Sequence, residues 1–152
     1  MANSTAERQI VSLKIVHTSD VHGSFFMRDY VNNHAVRGSL SRVYAYVQSL
    51  RKVYGKRLLM DGGDILQGSP VVYYSNFVAS SGKNLAAEIM NYMAYDVGVM
   101  GNHDIETGHA VYDRWTAACR FPVLGANVID RARGGCYLPP YCILERCGVK
   151  VA

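Results

Sequence analysis

The sequence predicts an α/β domain built on a largely parallel sheet. Two observations carry that prediction. Short apolar runs alternate with stretches of helical spacing along the chain, and three of the apolar runs end in clusters of Asp, His, Asn and Gly. Alternating strands and helices imply crossover connections, which lay successive strands side by side in the same direction. The carboxyl ends of parallel strands meet at one crevice, so residues far apart in sequence can share a site.

The first strand is read over residues 13–18, which run into Ser19-Asp20-Val21-His22-Gly23. A helix is predicted over residues 39–54, because Leu40, Val43, Tyr44, Val47, Leu50 and Tyr54 fall on one face. Ser39 is its N-cap and Gly55 its terminator. The second strand, residues 58–60, leads into Asp61-Gly62-Gly63-Asp64. Helices follow over residues 70–79 and 85–95, with Ser80-Ser81-Gly82-Lys83 as the break between them. The third strand, residues 97–100, leads into Gly101-Asn102-His103-Asp104-Ile105-Glu106. A helix over residues 107–119 and a short strand over residues 123–126 come next, and residues 148–152 read as the opening of another strand.

Composition sets the bounds on partners and compartment. Residues 1–12 are a polar N-terminal segment, and the rest is one folded unit. At 152 residues a domain buries roughly 68–70% of its unfolded surface, enough for a core. Hydrophobic residues at 49% and charged residues at 18% exclude a disordered chain. The net charge of +4 is spread out with no long block of one sign, which argues against a nucleic-acid polymer as partner. No apolar run approaches the roughly 18 residues of a membrane span, and no signal peptide is visible in residues 1–10. The four cysteines, Cys119, Cys136, Cys142 and Cys147, show no paired C-x-x-C pattern; three disulfide connectivities and four free thiols both stay open. Of the eleven tyrosines, Tyr44, Tyr54, Tyr92 and Tyr95 fall among Val, Leu and Met on helix faces and are read as core rather than as a stacking platform. Arg37, Arg42 and Arg51 read as a solvated helix face.

The strand-end residues are metal-ligand types. Side chains at i and i+2 of extended backbone point the same way, so Asp20 and His22 are expected to reach one ion together. The glycines that follow let the chain turn sharply and leave the ion accessible. A carboxylate, an imidazole and an amide oxygen together favour Mn, Zn or Fe over Ca. Each residue taken singly is a cap, a turn residue or a surface group; convergence singles out Asp20, His22, Asp64, Asn102 and His103. The remaining candidates keep ordinary roles. His17 is a packed or hydrogen-bonded strand residue, His34 lies in a polar loop, and His109 lies on a helix surface. Asp61 closes a strand or caps a turn, and Asp104 caps the following helix.

At this point the chain closely resembles the calcineurin-like metallophosphoesterases, and within them the 5'-nucleotidase and 2',3'-cyclic-nucleotide 2'-phosphodiesterase branch. The matching segments are Thr18-Ser19-Asp20-Val21-His22-Gly23, Gly63-Asp64-Ile65-Leu66-Gln67-Gly68-Ser69, Gly101-Asn102-His103-Asp104 and Gly125-Ala126-Asn127-Val128, all in family order. The resemblance implies an αββα sandwich and two divalent ions, Mn, Zn, Fe or Mg. It places Asp20 and His22 on the first ion, Asp64 between the two, and Asn102 on the second. By the same match His103 is the catalytic imidazole, Glu106 occupies the place of its acidic partner, and Asn127 lies near the substrate. Glu is longer than the Asp this branch often has there, which leaves the contact to His103 open. Two cations about 3.5–4 Å apart can clamp the attacking and leaving oxygens of an in-line displacement.

The resemblance also implies a nucleotide phosphoester as substrate and a periplasmic or cell-surface location, with the cytoplasm as the alternative. Family members complete the second metal site with later histidines, whereas no histidine follows His109. Residues 13–152 are therefore expected to be the N-terminal part of a longer catalytic domain, inactive alone. Base and sugar selectivity is expected to lie beyond it. The competing reading is a non-catalytic metal- or ligand-binding domain that keeps half of the site.

Overall fold

The computed structural model describes residues 10–54 and 57–152; Gly55 and most of the polar segment 1–12 lie outside them. In chain order, β1 (Lys14–Thr18) is followed by a small hairpin of β2 (Arg28–Asp29) and β3 (His34–Ala35), then by α1 (Leu40–Val53) and β4 (Arg57–Asp61). Next come α2 (Pro70–Tyr73), running on into a π-helical turn over Tyr74–Val78, then α3 (Leu85–Met93) and β5 (Val97–Val99). A short α4 (Asn102–Glu106) and α5 (His109–Ala118) precede β6 (Val123–Leu124). Two hairpins end the chain: β7 (Ile129–Asp130) with β8 (Gly135–Cys136), and β9 (Leu144–Arg146) with β10 (Val149–Val151).

β1, β4, β5 and β6 form one sheet in that order, and every pairing is parallel. This is the α/β architecture that the alternation of patterns predicts. Among the described residues it is the only sheet with more than two strands. The register aligns the strand ends, with Thr18 opposite Asp61 and Asp61 opposite Gly98. The turns after β1, β4 and β5 therefore leave the sheet at one edge. That alignment positions the site.

Leu58 and Leu59 of the central strand β4 are fully buried, as are Val47 of α1, Met90 of α3 and Trp115 of α5. Each aliphatic side chain buried this way contributes about 1.5–3 kcal/mol relative to exposure. Side-chain to backbone bonds hold the helices in place. Arg51 of α1 donates to the Met93 carbonyl at 2.6 Å, and Asn91 of α3 donates to the Ala118 carbonyl at 2.9 Å. Arg51 thus ties two helices together and is not part of a freely solvated face; Arg37 lies ahead of α1, exposed, and Arg42 is exposed on it.

Several local expectations change. Ser39 is the N-cap of α1 by backbone geometry, but its hydroxyl bonds the Ser41 hydroxyl at 3.0 Å, and the first helix amides, Leu40 and Ser41, donate instead to the Ser24 and Phe25 carbonyls at 2.9 and 3.0 Å. The core reading holds for Tyr95, 5% exposed, but fails for Tyr54 and Tyr92, which are 48% and 72% exposed. Ala86, Ala87, Met90 and Met93 form the buried stripe of α3, and Tyr92 lies off it, stacked on half-buried Tyr44 with ring centroids 5.2 Å apart. His17 is exposed on the sheet edge, its ring over Gly62, and makes no hydrogen bond among the described residues. His34 falls in β3 rather than in a loop. All four cysteines are free thiols.

Candidate metal site

The loops after β1 and β4 continue the pairing of their strands. The Gly62 amide donates to the Thr18 carbonyl at 2.8 Å, the Asp20 amide to Gly63 at 3.0 Å, and the His22 amide to Asp64 at 2.8 Å. The backbone is not extended there. Asp20, His22 and Asp64 all sit in the left-handed region, with φ of +54°, +49° and +62°. For residues other than glycine this costs of order 1–3 kcal/mol each and persists only where surrounding contacts enforce it. The i, i+2 geometry expected of Asp20 and His22 is therefore replaced by two left-handed turns. Convergence survives: one ligand atom from each of Asp20, His22 and Asp64 lies within 4.8 Å of the others.

The protonation pattern of His22 suits a ligand. Its Nδ1 lies 3.0 Å from the Gln67 carbonyl, which can only accept, so Nδ1 carries a proton and Nε2 is the nitrogen whose lone pair the neutral ring would offer a metal. Nε2 lies 4.0 Å from Oδ1 of Asp20. Asp64 is buried, and its Oδ1 accepts the His103 amide at 2.9 Å. A Cβ on Gly101 would stand 2.1 Å from that same oxygen, and one on Gly63, at φ +99°, would stand 2.5 Å from the Gly101 amide. Both glycines are required because two backbones meet there with no space between.

The third motif is itself helical, earlier than the helix expected from residue 107. Gly101 is the N-cap of α4, and α5 begins only after Gly108. One turn of α4 brings Nδ1 of His103 to 2.9 Å from Oε2 of Glu106, so Glu106 makes the contact that its length left open. That hydrogen bond, with the charges of Glu106, Asp64 and Asp104, raises the His103 pKa above the ordinary histidine value. The His103 ring stands 5.3 Å from that of His22, centroid to centroid. Asn102 is exposed in the first turn of α4. Asn127 is exposed on the turn closed by the Val128 amide and the Gly125 carbonyl, after the strand at the opposite edge from β1. No hydrogen bond links either side chain to the cluster among the described residues. His109 is exposed on α5 and pairs with Asp113 at 3.3 Å.

Two buried aspartates support the site from behind. Asp61 accepts the Gly63 amide at 3.0 Å and the Thr18 hydroxyl at 2.6 Å, so it closes both the turn and the strand pair as expected. Burial pushes its carboxyl up to about 6. Asp104 does more than cap α4. It is fully buried and accepts the amide of Gly101 at 3.0 Å together with those of Asp64, Ile65 and Leu66 at 2.8, 2.9 and 2.8 Å. Three of those bonds span about forty residues, which no local pattern reveals. An open cavity of about 840 Å³ borders His22, lined by Phe25, Tyr30, Pro70 and Tyr74 among others.

Two carboxylates and an imidazole meet at the ends of parallel strands, with a second imidazole alongside, in an arrangement that could hold a divalent ion. The chain belongs to the calcineurin-like phosphoesterase family, whose model matches residues 13–143. That family uses divalent metals, and Asp20, His22 and Asp64 form a group able to hold one. The chain is 31% identical to the 2',3'-cyclic-nucleotide 2'-phosphodiesterase/3'-nucleotidase of Yersinia enterocolitica, across 95% of this chain and 23% of that protein. It is 28% identical to the 5'-nucleotidase of Vibrio cholerae, across 92% of this chain and 24% of that one. Among solved structures it is similar to the calcineurin-like phosphoesterase YfkN of Bacillus subtilis, with a TM-score of 0.78, 26% identity, and coverage of 91% of this chain and 45% of that chain. The chain thus spans roughly a quarter of the two curated relatives' length. Among the described residues no helix is long and apolar enough to cross a membrane.

Proposed function

We propose that this chain supplies the first part of a binuclear site that hydrolyses nucleotide phosphoesters, either 5'-monoesters or 2',3'-cyclic diesters, in nucleotide catabolism. The observation that carries the reading is the meeting of Asp20, His22 and Asp64 within 4.8 Å, beside an imidazole that none of them binds. Asp20 and Nε2 of His22 would hold the first ion, Asp64 would serve both, and Asn102 would offer its amide oxygen to the second. Two divalent ions, Mn, Zn, Fe or Mg, supply when bound a water acidified toward neutrality and positive charge against the phosphoryl oxygens.

The chain's own residues provide the rest of the chemistry. As the water oxygen bonds to phosphorus, the ester P–O bond on the opposite side breaks and its electron pair goes to the leaving alkoxide. His103, whose acid form Glu106 favours, gives that alkoxide its proton. The cavity beside His22 has room for a nucleotide-sized substituent, and Asn127 is placed at the substrate by its motif alone. Resemblance to its branch supports a periplasmic or cell-surface location, with the cytoplasm as the alternative.

The test is phosphate release from 5'-nucleotides and 2',3'-cyclic nucleotides by the full-length protein, before and after chelation. Loss of release on chelation and its return with Mn²⁺ is expected. Metal binding with no turnover of any phosphoester would instead support a non-catalytic binding domain.

A further inference from the structure

We propose that Asp104 is a positioning residue whose buried carboxylate sets the Asp64 ligand and the His103 imidazole in working register before any ion arrives. The inference rests on the metal role proposed for Asp64. Asp104 touches none of the reacting groups; its effect passes through backbone. One of its oxygens accepts the amides of Asp64 and Gly101, and the other accepts those of Ile65 and Leu66. An ionised carboxylate offers about four lone-pair sites, so these four amides fill its capacity.

The bonds join two elements that also meet through the His103 amide on Asp64 and the close approach of Gly63 to Gly101. Asp64 starts a loop whose left-handed backbone, at φ +62°, is strained on its own. Gly101 is the N-cap of α4, the helix that carries Asn102, His103 and Glu106. With both amides on one oxygen of Asp104, the loop and the helix cannot slide relative to each other. The His103 amide then meets Oδ1 of Asp64 at 2.9 Å, which orients that carboxylate. Asparagine in place of Asp104 has nearly the same shape but turns one acceptor into a donor that faces two N–H groups, so two of the four bonds are lost.

The experiment compares Mn²⁺ affinity in the full-length protein, read from free Mn²⁺ by electron paramagnetic resonance, for wild type, Asp104→Asn and Val47→Ala. Val47 is fully buried in α1 and serves as a control for lost stability. Asp104→Asn should weaken Mn²⁺ binding about 10- to 100-fold, as disturbance of groups behind a ligand does. Val47→Ala should lower the melting temperature and leave affinity within about twofold. Unaltered affinity in folded Asp104→Asn would overturn the proposal, and so would an equal loss in both variants. A second measurement needs no variant and no metal: amide exchange in the metal-free wild type. Asp64, Ile65, Leu66 and Gly101 amides should exchange as slowly as those of β4; fast exchange would show that the loop is not preset. If the wild type takes up no Mn²⁺, the metal role of Asp64 fails, while the exchange rates still decide whether Asp104 presets the loop.

Discussion

Nδ1 of His103 lies 2.9 Å from Oε2 of Glu106, three residues on in the same short helix. The pair engages Nδ1 and raises the pKa of the ring, the hydrogen bond to Glu106 being the largest cause. A raised histidine pKa keeps the acid form to higher pH, so turnover that needs this acid should fall only as pH rises through the shifted value. Glu106→Gln removes the carboxylate. The alkaline limb of the kcat profile should then move to lower pH, and an unmoved limb would show that Glu106 does not set the pKa of the acid.

Replacing the imidazole separates chemistry from binding. His103→Ala in the full-length protein should lower kcat by about 10² to 10⁴ with metal content near normal. Metal loss by elemental analysis would make His103 a ligand.

Metal content tests the proposed pair of ions. Asp64→Ala should empty both positions, because the carboxylate proposed to be shared would also offset the repulsion between the cations. Asn102→Ala should weaken mainly the second. Unchanged stoichiometry in the Asp64 variant would contradict the shared role.

A single methyl group tests the contact between the loop and the helix. In Gly101→Ala the new Cβ would stand 2.1 Å from Oδ1 of Asp64 and 2.6 Å from the Asp64 amide, and backbone cannot yield cheaply. The variant should lose metal affinity and melt at lower temperature, both read from one titration and one thermal scan. A Gly101→Ala protein with wild-type values of both would show that this contact is not required.

Asp61 makes stability depend on pH. Its folded carboxyl titrates at about 6, above the unfolded value of 3.8, because burial outweighs the Thr18 and Gly63 hydrogen bonds. The folded state therefore holds this proton more tightly, and the contribution present below pH 4 is lost as pH rises to about 6. Asp61→Asn should flatten that fall in the metal-free protein and add on the order of 2 kcal/mol near pH 7. Equal slopes of melting temperature against pH in both proteins would refute it.

Much of the architecture was legible in local pattern. Strand and helix positions follow from short-range spacing of apolar residues, so β1, α1, β4, α3, β5 and α5 came within a few residues of their observed bounds, and alternation implied their parallel order. The residue types at the strand ends marked Asp20, His22, Asp64 and His103, because few patterns place carboxylates and imidazoles after three apolar runs. Tyr54 and Tyr92 were misread because spacing tells which residues share a face but not which face another element covers. The left-handed backbone of Asp20, His22 and Asp64 and the four amides gathered by Asp104 were not legible at all. Both arise where the β1 and β4 loops and the start of α4 press together, across separations of about forty residues. Local propensity chose the elements and the chemistry they carry, whereas long-range packing chose the strained turns that turn three scattered side chains into one site.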